Sequence, residues 1–135
     1  MIACMQVTHY PDGHGPWWTE DILDPTWEQV EGEISSMLRD AKPLVWLLKH
    51  RDQADADLLA VTGGEGVYHI QIADAESNWM QAVNPQGGDE MVEVWTSDQG
   101  FTTQARFTLP LAETLSIVKV YFEQGIPDGQ VTWTF

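Results

Sequence analysis

Between Leu44 and Val83 the chain is cut into four short apolar stretches, each closed by residues that favour turns. Leu44-Val45-Trp46-Leu47-Leu48 and Leu58-Leu59-Ala60-Val61-Thr62 read as buried strands. In Val67–Ile72, residues Tyr68, Ile70 and Ile72 alternate with Val67, His69 and Gln71, the period of two that sends neighbours to opposite faces of a sheet. Trp79–Val83 continues the sheet. The polar connector Asp52–Asp57 and the turn Gly63-Gly64-Glu65-Gly66 separate the strands. No unbroken apolar run is longer than that of Leu44–Leu48, far short of a membrane span.

Helical spacing occurs in two places. Asp24-Pro25 predicts a helix start, with Asp24 accepting from free N–H groups and Pro25 preset for the first position. Trp27, Val30, Ile34, Met37 and Leu38 then form one apolar face, and Pro43 ends the helix. A second helix opens at Pro110, with a buried stripe of Leu111, Leu115, Val118 and Phe122 and with Ala112 and Tyr121 at its flanks. Gly125 and Pro127 stop it. Ile2–Val7, Met91–Trp95, Thr103–Leu109 and Val131–Trp133 read as further strands, the second and third separated by a turn at Ser97–Gly100. The Pro/Gly-rich stretch Tyr10–Pro16 reads as loop. The expected architecture is one α+β domain over residues 1–135, a mostly antiparallel sheet of about six to seven strands with two helices packed on it.

Charge narrows the partners. Six Lys plus Arg stand against 21 Asp plus Glu, a net charge of −15. Such a chain lacks the cations that displace counterions from nucleic acid, and it is repelled by anionic membranes. The acids are also segregated. From Asp52 to Ala105 there is no Lys or Arg, and Asp12–Glu33 carries seven acids and no base. A one-sign field of this kind steers a cationic protein toward it.

Signatures of catalysis are missing from the sequence. A zinc deaminase needs His-x-Glu and Pro-Cys-x-x-Cys, and Cys4 is the only cysteine. There is no Gly-x-Ser-x-Gly elbow and no phosphate loop ending in Gly-Lys. His9 and His14 share a loop at a spacing unlike that of a zinc protease, and His69 is expected at a solvated or interface position. Neither a metal nor a cofactor is expected. Cys4 reads as a small buried apolar residue, no internal disulfide is possible, and the first residues read as a strand and not as a secretion signal, so a cytoplasmic location is expected. A carboxylate pair of the kind used by glycosidases stays open as an alternative.

Seven tryptophans are many for 135 residues. Trp27, Trp46 and Trp133 fit apolar faces. Trp17 or Trp18, Trp79 and Trp95 either fill the core or serve as anchors for a cationic partner.

The second half holds a recognisable succession. Glu93-Val94-Trp95 leads to Phe107-Thr108-Leu109-Pro110, then to an amphipathic helix ending Val120-Tyr121-Phe122-Glu123-Gln124-Gly125, then to Ile126-Pro127-Asp128-Gly129-Gln130-Val131-Thr132-Trp133. With Pro25–Glu31 and Leu59–Gly64, this resembles the first-numbered immunity-protein family of bacterial polymorphic toxin systems over residues 25–135. The resemblance implies an α+β domain, without catalytic activity, that occludes the active site or the nucleic-acid groove of a cognate secreted deaminase toxin. The base-free stretch supplies the expected toxin-binding residues: Asp55, Asp57, Glu65, Asp74, Glu76, Trp79, Asp89 and Glu90. A small hydrolase and an acidic adaptor domain are the alternatives.

Overall fold

The computed structural model describes residues 2–10, 16–52, 55–95 and 100–135. The short apolar runs pair in succession, each antiparallel to the next. β3 (Leu44–Leu48), β4 (Leu58–Gly64), β5 (Val67–Ala73) and β6 (Trp79–Val83) form the middle of a seven-stranded sheet. Outside β3 lie β1 (Cys4–His9) and then β2 (Trp18–Leu23), and outside β6 lies β9 (Thr132–Thr134). Every pairing in the sheet is antiparallel. The α+β class with two helices and a mostly antiparallel sheet is thus the observed one.

Period-two alternation divides the side chains between two faces. One face carries Met5, Val7, Val45, Leu47, Leu59, Val61, Tyr68, Ile70, Ile72 and Ala82, which join Val30, Ile34, Met37, Ile117, Val118 and Tyr121 in the main core. Helices α1 (Trp27–Ser35) and α2 (Leu111–Gln124) therefore cover this face. The second face has a smaller apolar cluster of Cys4, Leu48, Leu58, Ala60 and Ala73, roofed by Trp46 and Trp79.

Several expectations need correction. The segment Trp18–Leu23, unassigned from its sequence, is a strand, because register against β1 from Cys4↔Leu23 to His9↔Trp18 supplies the hydrogen bonds that its weak pattern did not advertise. Asp24 is not the cap of α1. It sits at φ 48°, turning the chain out of β2, and Thr26 caps instead, its Oγ1 accepting from Gln29 N–H at 3.2 Å while the Gln29 side chain accepts from Thr26 N–H at 2.9 Å. The helix stops at Ser35, well before Pro43. Ser36 ends it by donating its hydroxyl to the carbonyls of Gly32 and Glu33, and Leu38 pairs with Lys42 in a bridge and is exposed.

In α2 the fully buried line is Thr114, Ile117, Val118 and Tyr121, with Leu111, Leu115 and Phe122 packed beside it. A threonine and a tyrosine at the centre of the stripe look polar in a sequence, which shifted the expected face. Gly125 closes the helix at φ 71°, its N–H donating to Tyr121 C=O at 2.8 Å.

β7 (Met91–Trp95) and β8 (Gly100–Gln104) make a separate hairpin, packed on β4 and β5. The expected strand Thr103–Leu109 breaks after Gln104 into a 3-10 turn, Ala105–Phe107. Leu109 then pairs with Tyr68 on the main sheet and not with β7. The expected turn at Ser97–Gly100 lies mostly outside the described residues, as does His14. Among the described residues no helix is long and apolar enough to cross a membrane.

Candidate partner-binding face

The expected acidic residues fall at opposite ends of the sheet. Asp55, Asp57, Asp74, Glu76 and Trp79 gather at one end, where the β3–β4 connection meets the β5–β6 turn. Asp57 N–H donates to Asp74 C=O at 3.0 Å, and Ser77 Oγ donates to Asp55 C=O at 2.6 Å. Glu65, Asp89 and Glu90 lie at the other end, around the β4–β5 hairpin and the approach to β7.

Their roles differ. Asp74 accepts from Glu76 N–H, Asn78 N–H and the Asn78 side-chain amide at 2.9–3.1 Å, bonds that hold its carboxyl below the ordinary range and shape the turn. Asp57, at φ 53°, lies 3.1 Å from His50 Nε2 and 4.0 Å from Lys49 Nζ. Glu65 accepts from Arg39 N–H at 3.0 Å, and Asp89 lies 3.5 Å from Arg106. The Glu90 carbonyl receives Ala105 N–H. Asp55 and Glu76 are exposed, and among the described residues no Lys or Arg pairs with them. Trp79 is half-buried, its ring 6.4 Å from that of Trp46 and tilted 58° to it. The Nε1 of Trp46 is buried and has no hydrogen-bond partner among the described residues.

The cations are consumed internally. Arg39 pairs with Glu93, Lys42 with Glu33, Lys49 with Asp57, Arg51 with Asp24 and Arg106 with Asp89, and Lys119 lies over the Trp27 ring at 5.8 Å. All six Lys and Arg are thus turned onto the chain's own acids or aromatic rings. The surplus negative charge has nothing to answer it within the molecule.

One open aromatic surface is a pair of adjacent tryptophans that strand patterning had not located. At the start of β2, Trp17 is 59% and Trp18 49% exposed, and Leu23 at its end is 52% exposed. Glu20 and Asp21 lie between them. The signal was present in the sequence as the base-free stretch Asp12–Glu33. What was missing was the knowledge that Trp18–Leu23 within it forms the edge strand. Beside it a hollow of about 300 Å³ is lined by Gln6, Thr8, Tyr10, Trp17, Thr19, Leu44 and Trp46.

His69 is not solvated as expected. It is buried, 4% exposed, with Nδ1–H donating to Phe107 C=O at 2.8 Å and the Phe101 ring edge-on at 5.5 Å. The β7–β8 hairpin covers it. Burial pushes its pKa down. Cys4 is buried, as its sequence setting indicated.

A cavity of about 340 Å³ between the start of α2 and the segment before β9 holds two carboxylates, Glu113 and Asp128. The Asp128 carboxylate accepts from Gln130 N–H, and no histidine, cysteine or cation lines the cavity among the described residues. Among the described residues no group of His, Cys, Asp and Glu is arranged to hold a metal ion. Compared with protein-family models and with characterised proteins, the chain matches none.

Proposed function

We propose that this chain is an immunity protein, a non-catalytic inhibitor that resides in the cytoplasm and binds the cationic face of a deaminase toxin. The observation that carries the reading is the internal use of every Lys and Arg, which leaves a net charge of −15 directed outward. A nucleic-acid-modifying enzyme carries a positive groove for phosphates, so its substrate surface is complementary to such a field. Exposed Trp17 and Trp18 beside Glu20 and Asp21 add apolar area and aromatic faces for Arg and Lys. Asp55 and Glu76 extend the acidic surface from the far end of the sheet. The choice of a deaminase toxin as the partner comes from the sequence resemblance over residues 25–135.

Co-expression tests it. Cells making the deaminase-type toxin domain encoded beside this chain's gene survive when the chain is present, and purified toxin and chain form a complex whose association slows as salt rises. Toxicity undiminished by the chain overturns the reading.

A further inference from the structure

The geometry points to the outer edge of β2 as a docking rail that takes an extended, basic segment of the partner protein as an added strand. This rests on the reading of the chain as a binder of a cationic protein, and it specifies how that partner is held.

The seven-stranded sheet ends in β2 on one side and β9 on the other. β9 has three residues and β2 has six. A short edge protects itself, whereas six residues offer a full repeat of unpaired groups. The direction of those groups follows from one bond. Asp24 N–H donates to Ala3 C=O at 2.9 Å, toward β1. The Leu23 carbonyl, on the other side of that planar trans peptide, therefore points away from β1. Alternation along the strand then turns the backbone groups of Trp18, Glu20 and Ile22 inward to β1 and those of Thr19, Asp21 and Leu23 outward. All three outward residues are exposed, and among the described residues nothing bonds to their backbone groups.

Charge selects the occupant. A second copy of the chain would align its own Glu20 and Asp21 against this edge, and like charges opposite one another oppose pairing. Asp21 and Glu20 thus close the rail to self-association and open it to alternating Lys or Arg. Thr19 lines the hollow that Tyr10, Trp17 and Trp46 share, so a long cationic side chain on the added strand has an aromatic surface to lie on. Backbone bonds supply affinity and alternate side chains supply selection, the division of labour in strand addition.

Amide hydrogen exchange tests this on the intact, unmodified chain, with a capped peptide of alternating Lys and Val as probe. In the free protein Thr19, Asp21 and Leu23 exchange fast, and Glu20 and Ile22 exchange slowly. Peptide at low salt slows the first three at least tenfold, and a version N-methylated at alternate residues does not. Peptide binding that leaves those three amides unprotected overturns strand addition while sparing the acidic-binder reading. No binding of the peptide at low salt overturns both the rail and the field on which that reading rests.

Discussion

The imidazole of His9 lies flat on the indole of Trp18, ring centroids 4.2 Å apart and planes 13° from parallel, across a register position where the two residues face each other. His9 Nε2 also lies 3.2 Å from Glu20. Two cross-strand contacts therefore fasten the outermost strand at its first residues. Replacing His9 with Ala is expected to cost about 0.5–1 kcal/mol in urea denaturation, the usual worth of a favourable cross-strand pair. The two single substitutions His9→Ala and Trp18→Ala should be non-additive in a double-mutant cycle. Strict additivity would show that the stack contributes nothing.

His69 makes stability depend on pH in a defined direction. Its folded pKa is lowered from the ordinary 6.5 because protonation would place a charge under the β7–β8 hairpin. Above 6.5 both folded and unfolded chains hold it neutral, and its contribution is fully present. As pH falls below 6.5 the unfolded chain takes up a proton that the folded one refuses, so stability drops until the folded value is reached. His69→Gln keeps an amide donor for Phe107 C=O and is expected to flatten the slope of unfolding free energy just below pH 6.5. An unchanged slope in that window refutes the assignment.

Asp74 acts in the opposite sense. Its lowered pKa means that its contribution is present above the ordinary 3.8 and is lost as pH falls through the folded value. Asp74→Asn retains an oxygen for Glu76 N–H and Asn78 N–H, whereas Asp74→Ala removes it. Thermal melting at neutral pH is expected to rank wild type first, the Asn variant next and the Ala variant last.

Gly63 has no substitute. Its φ is +112°, and an added Cβ would fall on the Val67 carbonyl across the hairpin. Gly63→Ala is expected to destabilise the fold by about 2 kcal/mol or more, the sum of a disfavoured backbone region and a steric conflict with main chain. Gly66→Ala meets open space but shares a positive φ, so it isolates the backbone share of the loss. Chemical denaturation of both variants separates the two contributions.

Charge reversal distinguishes the β2 edge from the β4–β5 hairpin in binding. Asp21→Lys, on the exposed edge, is expected to slow association with the cationic toxin domain about tenfold at low salt and to reduce the salt dependence. Glu65→Lys, at the β4–β5 hairpin three strands away, should change it much less. Surface plasmon resonance at two ionic strengths measures both, and equal effects would place the contact elsewhere.

Much of the architecture was legible from residue order. The alternation of Tyr68, Ile70 and Ile72, the apolar runs of β3 and β4, and Gly125 followed by Pro127 encode their conformations locally, through side-chain period and allowed backbone angles. The net charge and its segregation were equally open to reading. Trp18–Leu23 was not, because a polar edge strand is held by the backbone of its neighbour and leaves little trace in its own hydrophobicity. The same holds for His69, which alternates correctly for a solvated face and is buried only because a hairpin some thirty residues later folds over it.

The candidate site divides along the same line. By itself the sequence determined that the chain is an acidic α+β protein with more carboxylates than its cations can neutralise, since both facts follow from composition and local pattern. Tertiary structure alone decided that Asp74 and Asp57 are occupied in holding turns, that among the described residues no Lys or Arg pairs with Asp55 or Glu76, and that Trp17 and Trp18 stand at the start of an open edge strand. Those distinctions depend on which groups residues distant in sequence bring within hydrogen-bonding reach, and that is a property of the packed chain.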